Sequence, residues 1–272
     1  MIDLVDDPIA TAPAPTCYLC GAPGNYLYRN LKDRLFGAPG NWNVKRCLRP
    51  GCGLAWLDPM PSQKDIGKAY KNYFTHQGTD TRSKVKKNGL LRQAYQFVKD
   101  GYLAQRFGYA TAKSNLQRSV GLLLYLLPIR RASIDQGVMG LRARPGRRLL
   151  DVGCGNGQLL ILLRDLGWQV EGVEIDPAAV EQACASGIKV RSGSLEAQQY
   201  PADHFDVVTM SHVLEHVHDP AVLLRECHRI LCPGGRLVAV TPNLESWGHR
   251  RFRESWRGLE PPRHLFLYTA KS

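Results

Sequence analysis

The string LLDVGCGNGQLL, residues 149–160, constrains the fold more than any other stretch of this chain. Its opening apolar residues, 149–152, suit a short buried strand. Gly153, Gly155 and Gly157 follow in alternation, and Leu159, Leu160, Leu162, Leu163 and Leu166 then recur as the buried side of a helix that stops at Gly167. A strand that turns on glycines into a helix begins a parallel sheet, because the helix must carry the chain back to start the next strand. The alternation continues. Residues 169–175 read as a second strand. Asp176-Pro177 supplies an N-cap and a first-turn proline for a helix ending at Gly187. Residues 188–191 and 205–210 read as a third and a fourth strand. Asp219-Pro220 caps a helix running to Leu231, and Pro233-Gly234-Gly235 turns the chain into a fifth strand over 236–241. The expected class is α/β: a doubly wound, mostly parallel sheet with helices on both faces and ligands at the carboxyl ends of its strands.

Two acids say which ligand the glycine turn takes. A turn built for a dinucleotide wants its third glycine three residues after the second, and Gln158 stands there. Asp151, just before the turn, would repel a pyrophosphate and attract a cation such as the amino group of a methionine moiety. Glu174 ends the second strand, 21 residues after Gly153, where a carboxylate accepts from both hydroxyls of a ribose. A plain surface acid is the alternative for Glu174, and Asp176 is expected to cap the next helix.

With LLDVGCGNGQLL, the strings VEGVEIDP, FDVVTMSHVLEHVHDP and LCPGGRLVAVTPN make residues 147–241 resemble a class I S-adenosylmethionine (SAM)-dependent methyltransferase, a Rossmann-like fold. The resemblance implies that Asp151, Gly153, Cys154, Gly155 and Gly157 surround the methionine portion of SAM. It implies Glu174 on the ribose, Ile175 against the adenine, Ser194 and Leu195 beside the adenine edge, and Ser211 and His212 near the methyl. The family often has Asp where Ser194 stands, which weakens that contact. The reaction implied is an in-line displacement at a sulfonium methyl, with alignment as the protein's main contribution. The resemblance also implies a further helix and two strands after HLFLYT. Only Ala270, Lys271 and Ser272 remain there, so the sheet is expected to be C-terminally short.

His212, His216 and His264 are the candidate catalytic residues. Within His212-Val-Leu-Glu215-His216 a histidine could act as general base. Some quinone-type O-methyltransferases hold a divalent metal here with a carboxylate and a Glu-His pair, but His212 replaces the carboxylate. A packing role for Glu215-His216 is the favoured alternative. His264, in PPRHLFLYT, lines the acceptor pocket or is structural.

Ahead of this domain, Cys17 and Cys20 are separated by two residues and Cys47 and Cys52 by four, each pair followed by glycine. Four thiolates in two knuckles make a closed tetrahedral zinc site, structural rather than catalytic. A redox pair or scattered thiols are the alternatives. CYLCG, RCLRPGCGLAWLDPMPS and the later Tyr70, Tyr73 and Phe74 resemble zinc-ribbon methyltransferases of polysaccharide and secondary-metabolite pathways, with Arg49-Pro50 as an insertion. Tyr70 and Tyr73 are expected to pack in the core or, less so, to reach the SAM pocket. The expected organisation is a flexible tail over 1–16, the zinc-ribbon-like four-cysteine module over 17–60, a basic helical linker over 61–145 and the SAM-binding domain over 146–272. Residues 137–146 read as a linker.

Charge is uneven. Residues 1–145 carry 22 Lys and Arg against 9 Asp and Glu, and residues 62–131 alone carry 14 against 3. Such an excess favours an acidic partner, or is a solubilising helical face. Leu91, Tyr95, Val98 and Tyr102 are expected to form one apolar stripe. Residues 120–131, apolar then doubly basic, are expected to be a buried helix, with peripheral contact to an anionic membrane surface as the alternative. No apolar run is long enough to span a bilayer, and no signal-peptide pattern opens the chain, so a cytoplasmic location is expected. The expected function is methyl transfer (EC 2.1.1.-) to a small acidic metabolite such as a sugar, nucleotide-sugar or glycan precursor. A nucleic-acid methyltransferase is an alternative, disfavoured because Ser211-His212 replaces the Asn/Asp-Pro-Pro-aromatic string of base N-methyltransferases and few aromatics interleave the basic stretch. A non-catalytic SAM-binding or scaffold subunit is the third. Oligomeric state, the acceptor and the atom methylated are not legible.

Overall fold

A computed structural model describes residues 8–70 and 89–272 of the chain; Tyr73 and Phe74 lie outside the described residues. The N-terminal strands are β1 (Thr11–Ala12), β2 (Gly24–Leu31), β3 (Trp42–Cys47), β4 (Ala55–Leu57) and β5 (Met60–Pro61). Strands β2, β3 and β4 form an antiparallel meander. Residues 9–16 are not the loose tail expected from their Ala/Pro composition. β1 pairs with β5, Ile9 is buried, and the Ala14 amide donates to Asp58 Oδ1 at 2.7 Å.

Three helices follow: α1 (Leu90–Phe107), α2 (Asn115–Gly121) and α3 (Pro128–Gly137). Helices α1 and α2 meet through glycine. A Cβ on Gly101 would fall 1.9 Å from the Gln117 carbonyl oxygen, and one on Gly121 would fall 2.2 Å from the Tyr102 amide nitrogen. Close backbone approach lets Tyr102, Leu103 and Phe107 bury themselves. The expected stripe therefore fails at its start. Tyr102 is buried, but Leu91 is exposed, and among the described residues the buried positions of α1 all lie in its C-terminal half. Residues 120–131 are likewise not the expected buried helix: Leu122, Leu123, Leu126 and Leu127 are exposed. Residues 137–146 are more than a linker, since Val138, Met139 and Leu141 are buried and Tyr109 Oη donates to the Leu141 carbonyl at 2.9 Å.

The strand–helix alternation then appears as β6 (Arg148–Val152), α4 (Gln158–Asp165), β7 (Gln169–Glu174), α5 (Pro177–Ala185), β8 (Val190–Ser192), β9 (Phe205–Ser211), α6 (Pro220–Ile230) and β10 (Leu231–Val240). The sheet order is β10-β9-β6-β7-β8, with β6–β7, β7–β8 and β6–β9 parallel. This is the Rossmann-like class I methyltransferase fold. Having laid down β6, β7 and β8 in one direction, the chain returns to the far side of β6, and ligands of such sheets bind at the switch point this creates. Leu160 and Leu163 of α4 are buried, whereas Leu159, Leu162 and Leu166 are half-buried, so the helix presents a narrower apolar side than five leucines suggest.

The last elements are α7 (Trp247–Phe252) and β11 (Phe266–Leu267), and β11 pairs antiparallel with β4 in the N-terminal sheet. Two compact units result, neither continuous in sequence. One gathers the described residues of 1–77 with 211–224 and 239–272; the other holds those of 78–210 and 225–238. In the first unit, Trp42, Val44, Leu54, Trp56 and Leu57 pack with Leu259, Leu265, Phe266 and Leu267. The fully buried guanidinium of Arg263 reaches Asp33 at 2.9 Å and Glu260 at 3.0 Å. No described helix is long and apolar enough to cross a membrane.

Candidate functional site

In the second unit, β6 ends in the glycine turn. Gly153, Gly155 and Gly157 have φ of 69°, 53° and 79°, the left-handed region where a Cβ is penalised by roughly 1–2 kcal/mol. The amides of Gly153 and Cys154 both donate to the Val173 carbonyl, at 2.8 and 3.2 Å, which pins the turn over β7. That seat requires Gly172, a residue the sequence reading passed over. A Cβ there would lie 2.5 Å from Cys154 Sγ. A Cβ on Gly155, by contrast, would meet nothing within 4 Å, so one face of the turn is open.

Asp151 is buried in register with Gly172 on one side and Thr209 on the other. Its Oδ1 accepts from the Thr209 hydroxyl at 2.7 Å. Burial pushes the carboxyl up to about 7; the Thr209 hydroxyl pulls the other way, and the charge of Glu174 adds to the rise. Thr209 was missed in the sequence, where its only signal is a hydroxyl inside the apolar run FDVVTM.

Glu174 is also buried. Its Oε2 accepts from the Gly155 amide at 2.8 Å, and its Oε1 from the amides of Ile175 and Asp176 at 2.8 and 3.0 Å. A carboxylate offers about four lone-pair positions. Three are taken by backbone amides, which leaves one position of Oε2 open. The Ile175 side chain is 74% exposed, an apolar plate free to meet a flat ring, and Ser194 is exposed. Leu195 and the Cys154 thiol are buried, so neither side chain is presented at the surface. The donor set fits SAM: a buried acid lacking a cation, a second acid at the strand end, an open glycine face and an exposed aliphatic plate.

The first unit holds the three candidate histidines. Ser211 closes β9, and His212 follows at φ 56°, its amide donating to the Val240 carbonyl at 2.8 Å. His212 Nδ1 lies 3.1 Å from Glu215 Oε1, while its side chain stays half-exposed. The Glu215 hydrogen bond raises the His212 pKa above its ordinary value. Glu215 is fully buried, and its Oε2 has no hydrogen-bond partner. Burial alone would raise its carboxyl, yet the His212 hydrogen bond and the nearby His216 bring it below the usual range on balance.

His216 and His264 differ from His212. His216 Nδ1 sits 3.0 Å from the Arg263 carbonyl and 2.9 Å from Tyr70 Oη, and burial pushes its pKa down to about 4. Tyr70 therefore belongs to this internal cluster. His264 Nδ1 is 2.8 Å from the Gly258 carbonyl, and burial lowers its pKa as well. Both rings are neutral near pH 7 and tied to backbone, with centroids 4.7 Å apart. Of the three, His212 alone pairs a half-open ring with a carboxylate. Potential ligand atoms of Glu215, His216 and His264 also lie within 4.8 Å of one another.

The four cysteines converge in the same unit. Cys17 and Cys20 lie in the turn before β2, Cys47 ends β3, and Cys52 lies in the turn into β4. Sγ of Cys17 and Cys52 are 3.7 Å apart, and those of Cys20 and Cys47 are 3.4 Å apart. A tetrahedral zinc with Zn–S bonds of about 2.3 Å requires sulfur separations of about 3.8 Å, so the set fits. Gly21 and Gly53 have φ of 71° and 75°. The Ala22 amide pulls the Cys20 thiol down to about 7, whereas burial pushes Cys17 up to about 12.

A family model described as a methyltransferase domain matches residues 125–272. The chain belongs to this methyltransferase-domain family. The match takes in the glycine turn, Glu174 and all three histidines and leaves the four cysteines outside. Among curated proteins, the chain is 37% identical over 105 residues to the ubiquinone biosynthesis O-methyltransferase of Pseudomonas aeruginosa, covering 36% of this chain and 45% of that protein. It is 41% identical over 109 residues to the protein of the same name from Xanthomonas campestris pv. campestris, covering 37% and 45%. The chain thus spans less than half the length of these relatives. A solved S-adenosylmethionine dependent methyltransferase from Mesorhizobium loti is 29% identical, with a TM-score of 0.38 over 41% of this chain and 53% of that one.

Proposed function

We propose that this methyltransferase-domain protein transfers the methyl group of SAM to a hydroxyl oxygen of a small-molecule acceptor. The observation that carries the proposal is the pair of buried carboxyls, Asp151 and Glu174, framing a glycine turn with one open face. SAM, when bound, supplies a methyl already activated as a sulfonium. Asp151 takes the cationic methionine end, Glu174 accepts one ribose hydroxyl, and Ile175 covers the adenine, with Ser194 at its edge. The backbones of Gly153, Cys154, Gly155 and Gly157 shape the floor.

His212 is the base. Glu215 holds the Nδ1 proton, which leaves the Nε2 lone pair to receive the proton of an acceptor hydroxyl. A pKa raised above its ordinary value suits that task, whereas His216 and His264 are buried, neutral and engaged with backbone carbonyls. Oxygen as the methylated atom is supported by the names of the curated relatives. For the acceptor, a sugar, nucleotide-sugar or glycan precursor is supported by the four-cysteine pattern and the basic excess. A phenolic quinone precursor is the second candidate, supported by the relatives' names.

Calorimetry with SAM, followed by a turnover screen against nucleotide-sugars, lipid-linked glycans and catechols, tests the proposal. No SAM binding at about 1 mM, the top of the usual substrate range, would leave a scaffold role. The four cysteines are assigned a structural zinc in a reducing compartment. One zinc per chain is expected, and a chelator should unfold the β2–β4 meander, because such a site contributes folding free energy directly. Metal-free protein with four reactive thiols would end that assignment.

A further inference from the structure

The helical segment of the second unit carries more apolar surface than its packing uses. The run 122–129 reads Leu-Leu-Leu-Tyr-Leu-Leu-Pro-Ile, and only Leu124 of it is buried. Leu126 is 76% exposed and Ile129 86%, and Leu116 on α2 with Leu90 and Leu91 on α1 add to them. The inner positions are already filled by Tyr102, Leu103, Phe107, Leu124 and Ile134. Turning the outer leucines inward would require the α1–α2 crossing at Gly101 and Gly121 to open. Exposed aliphatic side chains on successive elements mark an interaction surface rather than scattered surface leucines.

Charge says what that surface meets. Residues 89–137, which span α1–α3, hold seven Lys and Arg against two acids, Asp100 and Asp135, and Asp135 is paired with Arg106 at 3.4 Å. Guanidiniums stand among the apolar groups: Arg131 lies 4.9 Å from the Tyr125 ring centroid and Arg130 5.8 Å from that of Tyr95. Arg106 reaches Tyr125 Oη at 3.4 Å, and also lines a 480 Å³ cleft with Arg142, Arg144 and Arg236. A second copy of the chain would set like charges against like. Nucleic acid would match the charge but gains little from leucine and isoleucine, because bases stack on aromatic rings. Aliphatic side chains mixed with arginine and tyrosine match an anionic bilayer, where the chains enter the acyl boundary and the guanidiniums meet phosphates.

We propose that the α1–α3 segment docks this protein on anionic phospholipid membranes, with Leu122, Leu123, Leu126, Leu127 and Ile129 inserted at the interface and Arg130 and Arg131 on lipid phosphates. The proposal is independent of the methyl-transfer assignment. The test is cosedimentation of the full chain with vesicles of phosphatidylcholine alone or mixed with phosphatidylglycerol. Binding is expected to the mixed vesicles only. It should fall by about tenfold or more when salt rises from about 0.1 M to about 1 M. L126D/I129D should abolish it, with unchanged thermal unfolding and SAM affinity, because both side chains already face outward. R130E/R131E should remove the preference for phosphatidylglycerol. Protein left in the supernatant with anionic vesicles, or L126D/I129D binding like wild type, overturns the proposal. A dimer in sedimentation that L126D/I129D splits, without vesicle binding, overturns it in favour of a second copy.

Discussion

Asp151 beside the glycine turn and Glu215 in the histidine cluster are both buried carboxyls, and they titrate in opposite directions. Burial pushes each upward. Asp151 has only a neutral hydroxyl from Thr209 to set against it and rises to about 7. Glu215 has an imidazole that can take a proton, and it ends below its ordinary value while His212 is raised. The partner, more than the depth, decides what the acid does. An acid lacking a counter-charge is poised to receive a cation from outside the protein. One that has found a titratable partner has its charge paired internally and fixes the tautomer of that partner.

Removing the charge-paired acid should do the most damage. Glu215→Gln should lower turnover by about 10²–10³-fold, a usual loss when a base is misplaced, and His212→Ala by at least as much, both with SAM affinity unchanged. Since the carboxylate raises the His212 pKa, its loss lowers that pKa, and the acid limb of the pH–rate profile should move to lower pH in Glu215→Gln. His216→Ala is expected to reduce thermal stability by about 1–3 kcal/mol through its lost backbone hydrogen bond and to leave the profile in place. A pH–rate limb that follows His216 and ignores Glu215 would transfer the base role to the inner histidine.

Asp151→Asn should weaken SAM binding by about 10–100-fold, the range of a lost charge-assisted contact, and stabilise the protein in the ligand's absence. The folded carboxyl, at about 7, lies above its ordinary value of 3.8. Between those values the folded state holds a proton that the unfolded chain has released, so stability falls as pH rises through that window. Each unit of difference is worth about 1.4 kcal/mol. Asparagine has nothing to ionise. The melting-temperature gain of the variant should therefore be larger at pH 8 than at pH 5, while wild-type SAM affinity rises with pH through about 7 and the variant's stays flat. An equal gain at both pH values would mean that Asp151 is ionised throughout.

What the sequence made legible was local. The glycine turn, Asp176 as a cap and the order of the strands depend on neighbours a few residues apart and are found as expected, except that the fifth strand begins at Leu231 and takes in Pro233-Gly234-Gly235, which were expected to form a turn before it. The site residues that escaped are those whose partners lie far along the chain. Thr209 bonds Asp151 across 58 residues, and Arg263 reaches Asp33 across 230. Gly172 matters only once the Cys154 thiol is seen resting on it. Glu215 is a near neighbour of His212, but its pairing depends on the left-handed backbone of His212, which a string of letters does not display. The leucines of 120–131 misled for a related reason. Hydrophobicity says that a side chain leaves water, and the close α1–α2 crossing decides that these do not leave it for the core.

The finest test of the contrast is Thr209→Val, which keeps the shape of the side chain and removes the one hydroxyl that Asp151 has for a partner. A neutral hydrogen bond is worth about 0.5–1.5 kcal/mol, or roughly 0.4–1.1 pKa units. The pH midpoint of SAM binding should therefore move up from about 7 by about that amount, with affinity lower at and below the shifted midpoint and the difference fading above it. Above it, where Asp151 is ionised in both proteins, the affinities should converge. The matching change at the other acid, His212→Ala, should raise the Glu215 carboxyl by more, because hydrogen bonds to an ionised partner are roughly twice as strong as neutral ones. If Thr209→Val leaves the midpoint unmoved, the group that titrates with SAM binding is not Asp151, and the contrast between the two acids rests on burial alone.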